Sequence, residues 1–326
     1  MIKTYCENID NLPFEEPKGD EIIWRYSKNP IIKRNPVKGI ARIFNSAVLP
    51  YNGGFIGVFR GDTNTTVPFL YLGYSKDGIN FDINEKKIEF IKDGKPYDMH
   101  YAYDPRLVKI EDTYYICWCD GFDWQPAIGM ARTKDFKTFE MLDHPFLPFN
   151  RNGVLFPRKI NNQYYLLSRP SDPGHTPFGD IYISQSKDLV YWGKHKLLMK
   201  KGYDWWEGTK IGAGSPPIET EEGWLMFYHG VTKTCAGLCY SIGAVILDKD
   251  VPTIVKYRCK GYLLTPEEDY EVKGFVDNVC FPCAALCDAK TNRVCIYYGC
   301  ADTYVSIAFT TIDRVIKYVK EHNEII

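Results

Sequence analysis

The chain has 326 residues, with 40 basic side chains, 41 acidic side chains and a formal net charge of −1. This balance argues against a nucleic-acid partner, because phosphate backbones are bound by surplus Lys and Arg. It also argues against a polybasic protein of the membrane surface. Hydrophobic residues make up 45% of the chain and charged residues 25%, which indicates a globular protein, and the aromatic fraction of 15% favours strands.

The N-terminus and the cysteines indicate the compartment. The first residues, MIKTYCENIDNLPFEEPKGD, are acidic and have no apolar core, so they do not resemble a secretory signal. No apolar run reaches the ~18–20 residues of a membrane-spanning helix, and we expect no membrane partner. Without an export signal, the eleven cysteines are interpreted as reduced thiols on strands, which predicts a cytoplasmic protein. Cys280 and Cys283 form a C-x-x-C pair without a second ligand pair, so we expect neither a metal site nor a cofactor.

In chain order, residues 1–35 are irregular and polar, with Trp24 and Tyr26 as their expected anchors. Five similar apolar segments follow, each after a polar turn, as the return strand of a hairpin does. They are GGFIGVFR (53–60), DTYYICWCDG (112–121), NQYYLLSRP (162–170), EGWLMFYHG (222–230) and NRVCIYYGCAD (292–302). A second recurrent segment follows in four of the units, and three of its copies share a Ser/Thr-Lys-Asp turn at Asp77, Asp135 and Asp188.

These repeats predict the fold. A unit of ~50–70 residues with about four strands has the size of a propeller blade. We therefore predict an all-β protein, a five-bladed β-propeller over residues 36–310, with residues 1–35 as an N-terminal extension that packs on the ring. Closure of the ring removes exposed sheet edges. A β-sandwich with coincidental similarity is the alternative, and the in-order recurrence of both segments disfavours it.

The end of the chain, residues 311–326, has the periodicity of a helix. Ile312, Val315, Ile316 and Val319 are spaced so that they share one helical face. We expect this amphipathic helix to pack on the ring or on another subunit, so a homo-oligomer is one of the open alternatives.

Charged and polar residues interrupt the apolar strands of every unit. If the units are blades in register, these side chains converge on one central pocket. Each residue taken singly could instead be a solvated strand end or a structural ion pair, but their recurrence favours a site. The set comprises Asn45, Ser46, Arg60, Asp104, Arg106, Asp120, Arg151, Asn152, Arg169, Lys210, His229 and Asp302.

The chemistry of this set predicts two kinds of ligand group. Arg151, Arg169 and Lys210 suit a small tetrahedral oxyanion, because forked arginine donors match phosphate oxygens. The carboxylates Asp104 and Asp302, together with the neighbouring amide and guanidinium groups, suit a polyhydroxylated ligand. A sugar site beside an oxyanion site predicts transfer of a glycosyl group to phosphate.

Several motifs of the chain are long and specific. They are YAYDPRL (101–107), PFNRNGVLFPRKI (148–160), LSRPSDPGHTPFGDIYIS (167–184), TKIGAGSPPIETEEGWLMFYHGV (209–231) and NVCFPCAALCD (278–288) with YYGCADT (297–303). In this order they closely resemble glycoside hydrolase family 130, and most of all its β-1,4-mannooligosaccharide phosphorylase subgroup. The resemblance covers roughly residues 20–320.

The resemblance implies a five-bladed propeller and reversible phosphorolysis of a β-mannosidic bond. Inorganic phosphate would attack C1, and α-mannose 1-phosphate would leave with inverted configuration. By matching motifs, Asp104 would donate the proton, through a sugar hydroxyl. The residues implied to bind phosphate are Arg151, Asn152, Arg169, Lys210, His229 and Tyr240. Those implied to lie near the mannosyl unit are Asn45, Ser46, Arg60, Asp62, Tyr103 and Asp302.

Two other functions stay open. A hydrolase of the same fold would need a second carboxylate to activate water, and the full phosphate-binding set disfavours it. A sugar-binding propeller without catalysis would have near-equivalent sites in each blade, whereas these residues differ in every repeat. The acceptor could be mannose, N-acetylglucosamine or glucose, and we expect loops such as 61–68, 121–126 and 172–178 to select it, the last of which contains His175.

Overall fold

The computed structural model describes residues 1–123, 125–171, 179–202 and 205–324. Five sheets follow one another along the chain, and contacts between their innermost strands arrange them around a common axis. The predicted five-bladed β-propeller is therefore confirmed. Trp124 and the 172–178 loop, which contains His175, lie outside the described residues.

The first strand along the chain, β1 (Trp24–Arg25), belongs to the last blade. Blade 1 pairs its four strands in chain order: β2 (Ile40–Tyr51), β3 (Gly54–Thr63), β4 (Pro68–Ser75) and β5 (Asp82–Lys87). Blade 2 contains β6 (Phe90–Lys92), β7 (Lys95–Pro96), β8 (Ala102–Ile110), β9 (Thr113–Phe122), β10 (Gln125–Thr133) and β11 (Phe139–Met141). Their spatial order is β7-β6-β11-β10-β9-β8, so β8 is the innermost strand.

Blades 3 and 4 follow the same plan. Blade 3 consists of β12 (Asn150–Leu155), β13 (Tyr164–Pro170), β14 (Ile181–Ser186) and β15 (Trp192–Met199). Blade 4 consists of β16 (Lys210–Ala213), β17 (Ile218–Thr220), β18 (Gly223–Thr234), β19 (Gly237–Leu247) and β20 (Val255–Arg258). Both β16 and β17 pair with β18, so together they form the inner edge of blade 4.

Blade 5 joins the two ends of the chain. After the short helix α1 (Asp269–Val272) come β21 (Cys280–Cys287), β22 (Arg293–Cys300) and β23 (Tyr304–Thr311). The N-terminal strand β1 adds the outer strand, with Trp24 opposite Phe309 and Arg25 opposite Ala308. The predicted division into residues 1–35, 36–310 and 311–326 stays a prediction.

A buried ion pair holds this N-terminal strand in place. Glu271 on α1 is fully buried and accepts hydrogen bonds from Arg25 Nε at 2.8 Å and Nη2 at 2.9 Å. Tyr298 donates a third hydrogen bond to the same carboxylate at 2.8 Å. Because the charges are paired and further hydrogen-bonded, the burial of Glu271 is compensated.

The recurrent Ser/Thr-Lys-Asp turn is the local structure that repeats from blade to blade. In blade 1, Asp77 Oδ1 accepts hydrogen bonds from the backbone N–H groups of Ile79 and Asn80 at 2.9 and 2.8 Å. Asp135 in blade 2 and Asp188 in blade 3 bind the backbone two and three positions ahead in the same way. A carboxylate that binds its own backbone two residues on stabilises a turn, so this sequence pattern marks the same position in three blades.

The hydrophobic core lies between neighbouring sheets. One large cluster joins blades 3, 4 and 5, and a second joins blades 1 and 2. Most of the cysteines are buried on strands within this core, as expected for small apolar residues. Close packing between the blades gives the inner strand ends a rigid frame.

The C-terminal segment forms helix α2 (Ile312–Glu321), as predicted. The side chain of Thr311 caps its first turn by accepting a hydrogen bond from the backbone N–H of Arg314. The helix packs on β19, β20 and β23, so its apolar face is covered by the ring of the same chain. None of the helices in the described ranges is long and apolar enough to cross a membrane. The buried face of α2 consists of Ile312, Val315, Ile316 and Val319.

Candidate active site

Three innermost strands carry the same local distortion. The pairing of β2, β8 and β12 with the next strand slips at a bulge. Each bulge contains one residue with left-handed backbone: Asn45 with φ 45°, Asp104 with φ 53° and Asn152 with φ 53°. Asn and Asp tolerate this conformation better than other residues with a side chain. Because a bulge re-aims a side chain, all three reach the same central cavity.

This cavity has a volume of about 400 Å³ and lies at the end of the axis where the innermost strands begin. Every blade contributes to its wall, so the site is single and asymmetric. Its lining separates into an acidic half and a cationic half, described in turn below. The lining residues are Asn45, Arg60, Tyr103, Asp104, Cys119, Arg151, Asn152, Arg169, Ser171, Lys210, His229, Tyr240, Val276, Val279, Phe281 and Asp302.

The acidic half is built around Asp104. Its Oδ1 accepts hydrogen bonds from Arg60 Nη1 and from Asn45 Nδ2, both at 2.9 Å. Arg60 also donates from Nε to Asp62 at 3.1 Å, behind the cavity wall. Since both donors hold the same oxygen of Asp104, the orientation of this carboxyl group is fixed.

Asp302 lies in the same half and has an altered acidity. Burial raises the pKa of Asp302 to about 6, against the attraction of Arg60 and with the help of the nearby carboxylates of Asp104 and Asp62. Crowded carboxylates favour retention of a proton on one of them. The acidic half therefore holds a carboxyl group that keeps its proton to a higher pH than an ordinary aspartate does.

The cationic half is built around two arginines that face each other. Arg151 on β12 and Arg169 on β13 are direct cross-strand partners, and Arg169 is almost fully buried. Like charges directly opposite each other destabilise a sheet. Burial and the nearby Arg151 lower the pKa of Arg169, and burial together with both arginines lowers the pKa of Lys210 to about 7. This clustering of buried cations is what an anion site requires.

His229 completes the cationic half as a neutral donor. It is fully buried, and burial followed by the charges of Arg169, Arg106 and Lys210 lowers its pKa well below the usual range. Arg169 Nη1 lies 3.1 Å from His229 Nε2. Because an arginine can only donate, Nε2 accepts and the imidazole proton is on Nδ1. Nδ1 has no hydrogen-bond partner within the described residues, so its proton is an unsatisfied donor in the wall of the cavity.

Two tyrosines join the halves. Tyr103 OH accepts a hydrogen bond from Arg151 Nε at 3.2 Å, and the Arg60 guanidinium lies 5.0 Å from the centre of the same ring. Tyr240 is in contact with Lys210, whose Nζ lies 5.0 Å from the ring centre. Burial raises the pKa of Tyr240 to about 12, so its hydroxyl stays a donor at neutral pH.

A family model described as β-1,4-mannooligosaccharide phosphorylase matches residues 10–321. The chain belongs to glycoside hydrolase family 130. The predicted family resemblance is thereby confirmed over nearly the whole sequence.

The relatives in family 130 extend this match. A β-1,4-mannooligosaccharide phosphorylase of Ruminococcus albus is 54% identical over 336 aligned positions, which cover 99% of this chain and 100% of that protein. A β-1,2-mannobiose phosphorylase of Listeria innocua is 37% identical over 239 positions, covering 73% of this chain and 65% of that protein. The solved structure of a Listeria innocua β-1,2-mannobiose phosphorylase with β-1,2-mannobiose superposes with a TM-score of 0.82 at 28% identity, covering 92% of this chain and 99% of that one.

The family 130 cavity contains most, but not all, of the residues predicted for it. Ser46, Asp62, Arg106 and Asp120 do not line it. Asp120 instead accepts a hydrogen bond from Tyr97 OH at 2.8 Å and lies 2.7 Å from His144 Nε2. The Ser46 hydroxyl bonds to the carbonyl of Phe44 at 3.2 Å, and Asp62 pairs with Arg60 and Arg42 behind the wall. Asp62 therefore acts on the cavity through Arg60. The predicted residues that do line the cavity are Asn45, Arg60, Tyr103, Asp104, Arg151, Asn152, Arg169, Lys210, His229, Tyr240 and Asp302.

Five lining residues of the family 130 cavity were not predicted. No charge or motif spacing distinguishes them, because four are apolar or weakly polar side chains and the fifth is a serine. Phe281 and Val279 lie within the NVCFPC segment that carries the resemblance, so their neighbourhood was marked although their part in the cavity was not. The set is Cys119, Ser171, Val276, Val279 and Phe281.

Proposed function

We propose that this family 130 protein is an inverting phosphorylase that cleaves β-1,4-mannosides with inorganic phosphate and releases α-mannose 1-phosphate. The observation that carries the proposal is the pairing of Arg151 with Arg169 in the same cavity as Lys210 and the carboxyl group of Asp104, which Arg60 and Asn45 hold in place. The Ruminococcus albus relative, a β-1,4-mannooligosaccharide phosphorylase at 54% identity, supports the linkage.

The two halves of the cavity divide the reaction between them. The cationic half binds phosphate and directs one of its oxygens at C1 of the mannosyl unit. The bond from C1 to that oxygen forms as the bond from C1 to the leaving oxygen breaks, and the leaving oxygen takes up the proton that Asp104 supplies. Positioning of an anion in line with C1 and compensation of its charge are the main contributions of such a site. Attack opposite the leaving group inverts the β configuration to α.

A hydrolase would need a different arrangement. In an inverting hydrolase a second carboxylate activates water on the face opposite the acid, roughly 6.5–9.5 Å away from it. Here Arg151, Arg169 and Lys210 line the cavity together with Asp104, while the second carboxyl group, that of Asp302, is close to Arg60 and to Asp104 itself. Phosphate is already an anion and needs no base, which is why this set suits phosphorolysis.

The remaining properties are proposals of the same kind. A β-1,4-mannooligosaccharide is the proposed substrate, with mannosyl-N-acetylglucosamine as the second choice. Phosphorolysis conserves bond energy in a sugar phosphate, which is useful inside a cell and supports a cytoplasmic placement. A homo-oligomer stays a prediction, and the mechanism uses phosphate as co-substrate with no further cofactor.

The test of the function is a product assay. The protein is incubated with β-1,4-mannobiose, with and without inorganic phosphate, and the products are followed by proton NMR. We expect α-mannose 1-phosphate to appear only with phosphate. Free mannose in equal amounts with and without phosphate would instead show a hydrolase. Absence of turnover on mannobiose, followed by turnover on mannosyl-N-acetylglucosamine, would keep the reaction and change the acceptor.

The lowered pKa of Lys210 predicts a pH dependence of anion binding. In the empty protein Lys210 loses its charge near pH 7, and a bound dianion stabilises the ammonium form, so binding above pH 7 takes up a proton. Affinity should then fall by up to about tenfold per pH unit between pH 7 and 9. Inorganic sulfate is the clean probe, because its charge does not change in this range.

The measurement is isothermal titration calorimetry of sulfate in two buffers with different ionisation enthalpies. Lys210→Arg is the matched variant, since arginine stays charged throughout and should abolish both the proton uptake and the decline. Equal proton uptake in this variant and in the wild type would show that another group is responsible.

A further inference from the structure

Arg106 is a buried cation beneath the cavity to which the proposed reaction assigns no role. It lies on β8 two residues after Asp104 and is only 1% exposed. Its guanidinium donates hydrogen bonds to four backbone carbonyls, those of Asp104 at 2.8 Å, Pro105 at 3.2 Å, Ala213 at 3.4 Å and Gly214.

These carbonyls come from two blades that are not neighbours. Asp104 and Pro105 belong to β8 of blade 2, whereas Ala213 ends β16 of blade 4 and Gly214 follows it. Arg106 therefore spans the interior of the ring. Across the described ranges its hydrogen bonds all go to carbonyl oxygens and none to a carboxylate. The carbonyl dipoles therefore stabilise its positive charge, but no negative charge neutralises it. Buried charges are usually paired, because an uncompensated one is costly.

The first consequence of this arrangement concerns the proton donor. Arg106 Nη1 holds the carbonyl of Asp104, the residue whose φ of 53° places it in the left-handed region at the bulge of β8. A residue with a side chain persists in such a conformation only where surrounding contacts hold it. The Arg106 guanidinium donates hydrogen bonds to the carbonyls of Asp104 and Pro105 and to two carbonyls of blade 4. It therefore holds the backbone of Asp104 in place and fixes the direction of its carboxyl group.

The second consequence concerns the anion. The Arg106 guanidinium lies 5.4 Å from the ring centre of Phe281, and that ring centre lies 4.4 Å from the imidazole of His229. Phe281 and His229 both line the cavity, so one layer of side chains separates Arg106 from the cationic half. At an effective dielectric constant of about 20, two charges roughly 10 Å apart change a binding equilibrium by on the order of tenfold.

We propose that Arg106 is a positioning residue for phosphorolysis, which fixes the carboxyl group of Asp104 for proton transfer and adds a permanent positive charge beneath the phosphate site. The inference rests on the proposed function. The two contributions can be separated, because holding four carbonyls requires the planar fork of arginine, whereas the electrostatic effect requires only a positive charge.

The experiment compares Arg106→Lys and Arg106→Met with the wild type. Arg106→Lys keeps the charge but cannot hold carbonyls of both blades, so kcat should fall by about 10- to 100-fold, the effect of a small misplacement of a reacting group. Its phosphate Kd should stay within about threefold of wild type, while Arg106→Met should lose kcat and also raise the phosphate Kd by about tenfold. Phosphate binding is measured by calorimetry without sugar, and kcat by initial rates.

The control is Arg158→Met, which removes the same charge from an ion pair with Glu219 outside the cavity and should change neither quantity. A wild-type kcat in Arg106→Lys, or a wild-type phosphate Kd in folded Arg106→Met, overturns the proposal. If circular dichroism shows that Arg106→Met is unfolded, the proposal is judged on Arg106→Lys alone. A lowered kcat with a phosphate Kd within about threefold of wild type then supports it, and a wild-type kcat overturns it. A loss of activity in proportion to the folded fraction, with unchanged kcat per folded molecule, also overturns it.

Failure of the proposed function is distinguishable from failure of this inference, because the wild type itself would then neither bind nor consume phosphate.

Discussion

Asp104→Asn is expected to lower kcat for phosphorolysis by about 10²- to 10⁴-fold, the contribution of a positioned general acid. An amide cannot supply the proton that the leaving oxygen needs. Asparagine is the right replacement because it tolerates the left-handed backbone at this position, with φ 53°, so the bulge should survive. Its amide oxygen can still accept hydrogen bonds from Arg60 and Asn45.

Binding of phosphate distinguishes loss of chemistry from loss of structure in this variant. Removal of a negative charge from the cavity should leave the phosphate Kd unchanged or lower, since one repulsive neighbour of the anion disappears. Initial rates in the phosphorolytic and the synthetic direction are measured together with calorimetric phosphate binding. Asp112→Asn is the control, because Asp112 is an exposed residue that pairs with Lys134 away from the cavity. Wild-type rates in Asp104→Asn would assign the proton to another group, of which Asp302 would be the first to test.

Arg169→Met is expected to raise the KM for phosphate by about 10- to 100-fold, the range for loss of hydrogen bonds to a charged group. Arg169 is buried and lines the cavity, so its guanidinium charge attracts an anion there with little screening by water. kcat should fall as well, because phosphate held by fewer donors is less well aligned with C1.

The sugar side of the reaction separates this prediction from a general loss of activity. The KM for the mannoside should change much less than the KM for phosphate, since Asp104, Arg60 and Asn45 stay in place. Arg169→Lys should recover only part of the loss, because an ammonium group lacks the forked donors. The control is Arg132→Met, which removes an exposed arginine paired with Glu140 on blade 2. A phosphate KM unchanged in Arg169→Met would remove the cationic half from the proposed mechanism.

The repeated turn shows why the blades could be predicted from the sequence. The Asp77 carboxylate binds the backbone of its own turn, two and three residues ahead, and its counterparts in blades 2 and 3 do the same. Because these hydrogen bonds involve only neighbouring residues, they require a fixed spacing in the sequence. That spacing can be recognised without the structure. The amphipathic helix α2 could be predicted for the same reason, since its four buried residues follow the helical period.

The site was predictable in its residue types and less so in its geometry. Polar groups at strand ends predicted convergence, and most of them do line one cavity. Asp62 lies two residues after Arg60 on the same face of β3, yet its carboxylate pairs with Arg60 and Arg42 behind the wall, and this pairing depends on contacts that the sequence pattern does not show. Apolar residues of the cavity wall such as Phe281 could not be predicted from the sequence, because an aromatic residue on a strand most often belongs to the hydrophobic core.

The sequence by itself determined the blade count, the C-terminal helix and the chemical types that a phosphorylase site needs, because these depend on local spacing and on motifs that survive in order along the chain. Tertiary structure alone decided that β1 completes blade 5, that Arg151 faces Arg169, and that Arg106 joins the carbonyl of Asp104 on its own strand to carbonyls of blade 4 across the ring. The contact of β1 with β23 and that of Arg106 with blade 4 join segments whose distance in space is set by closure of the ring. Left-handed residues in the bulges then aim the side chains, and no spacing along the chain encodes that direction.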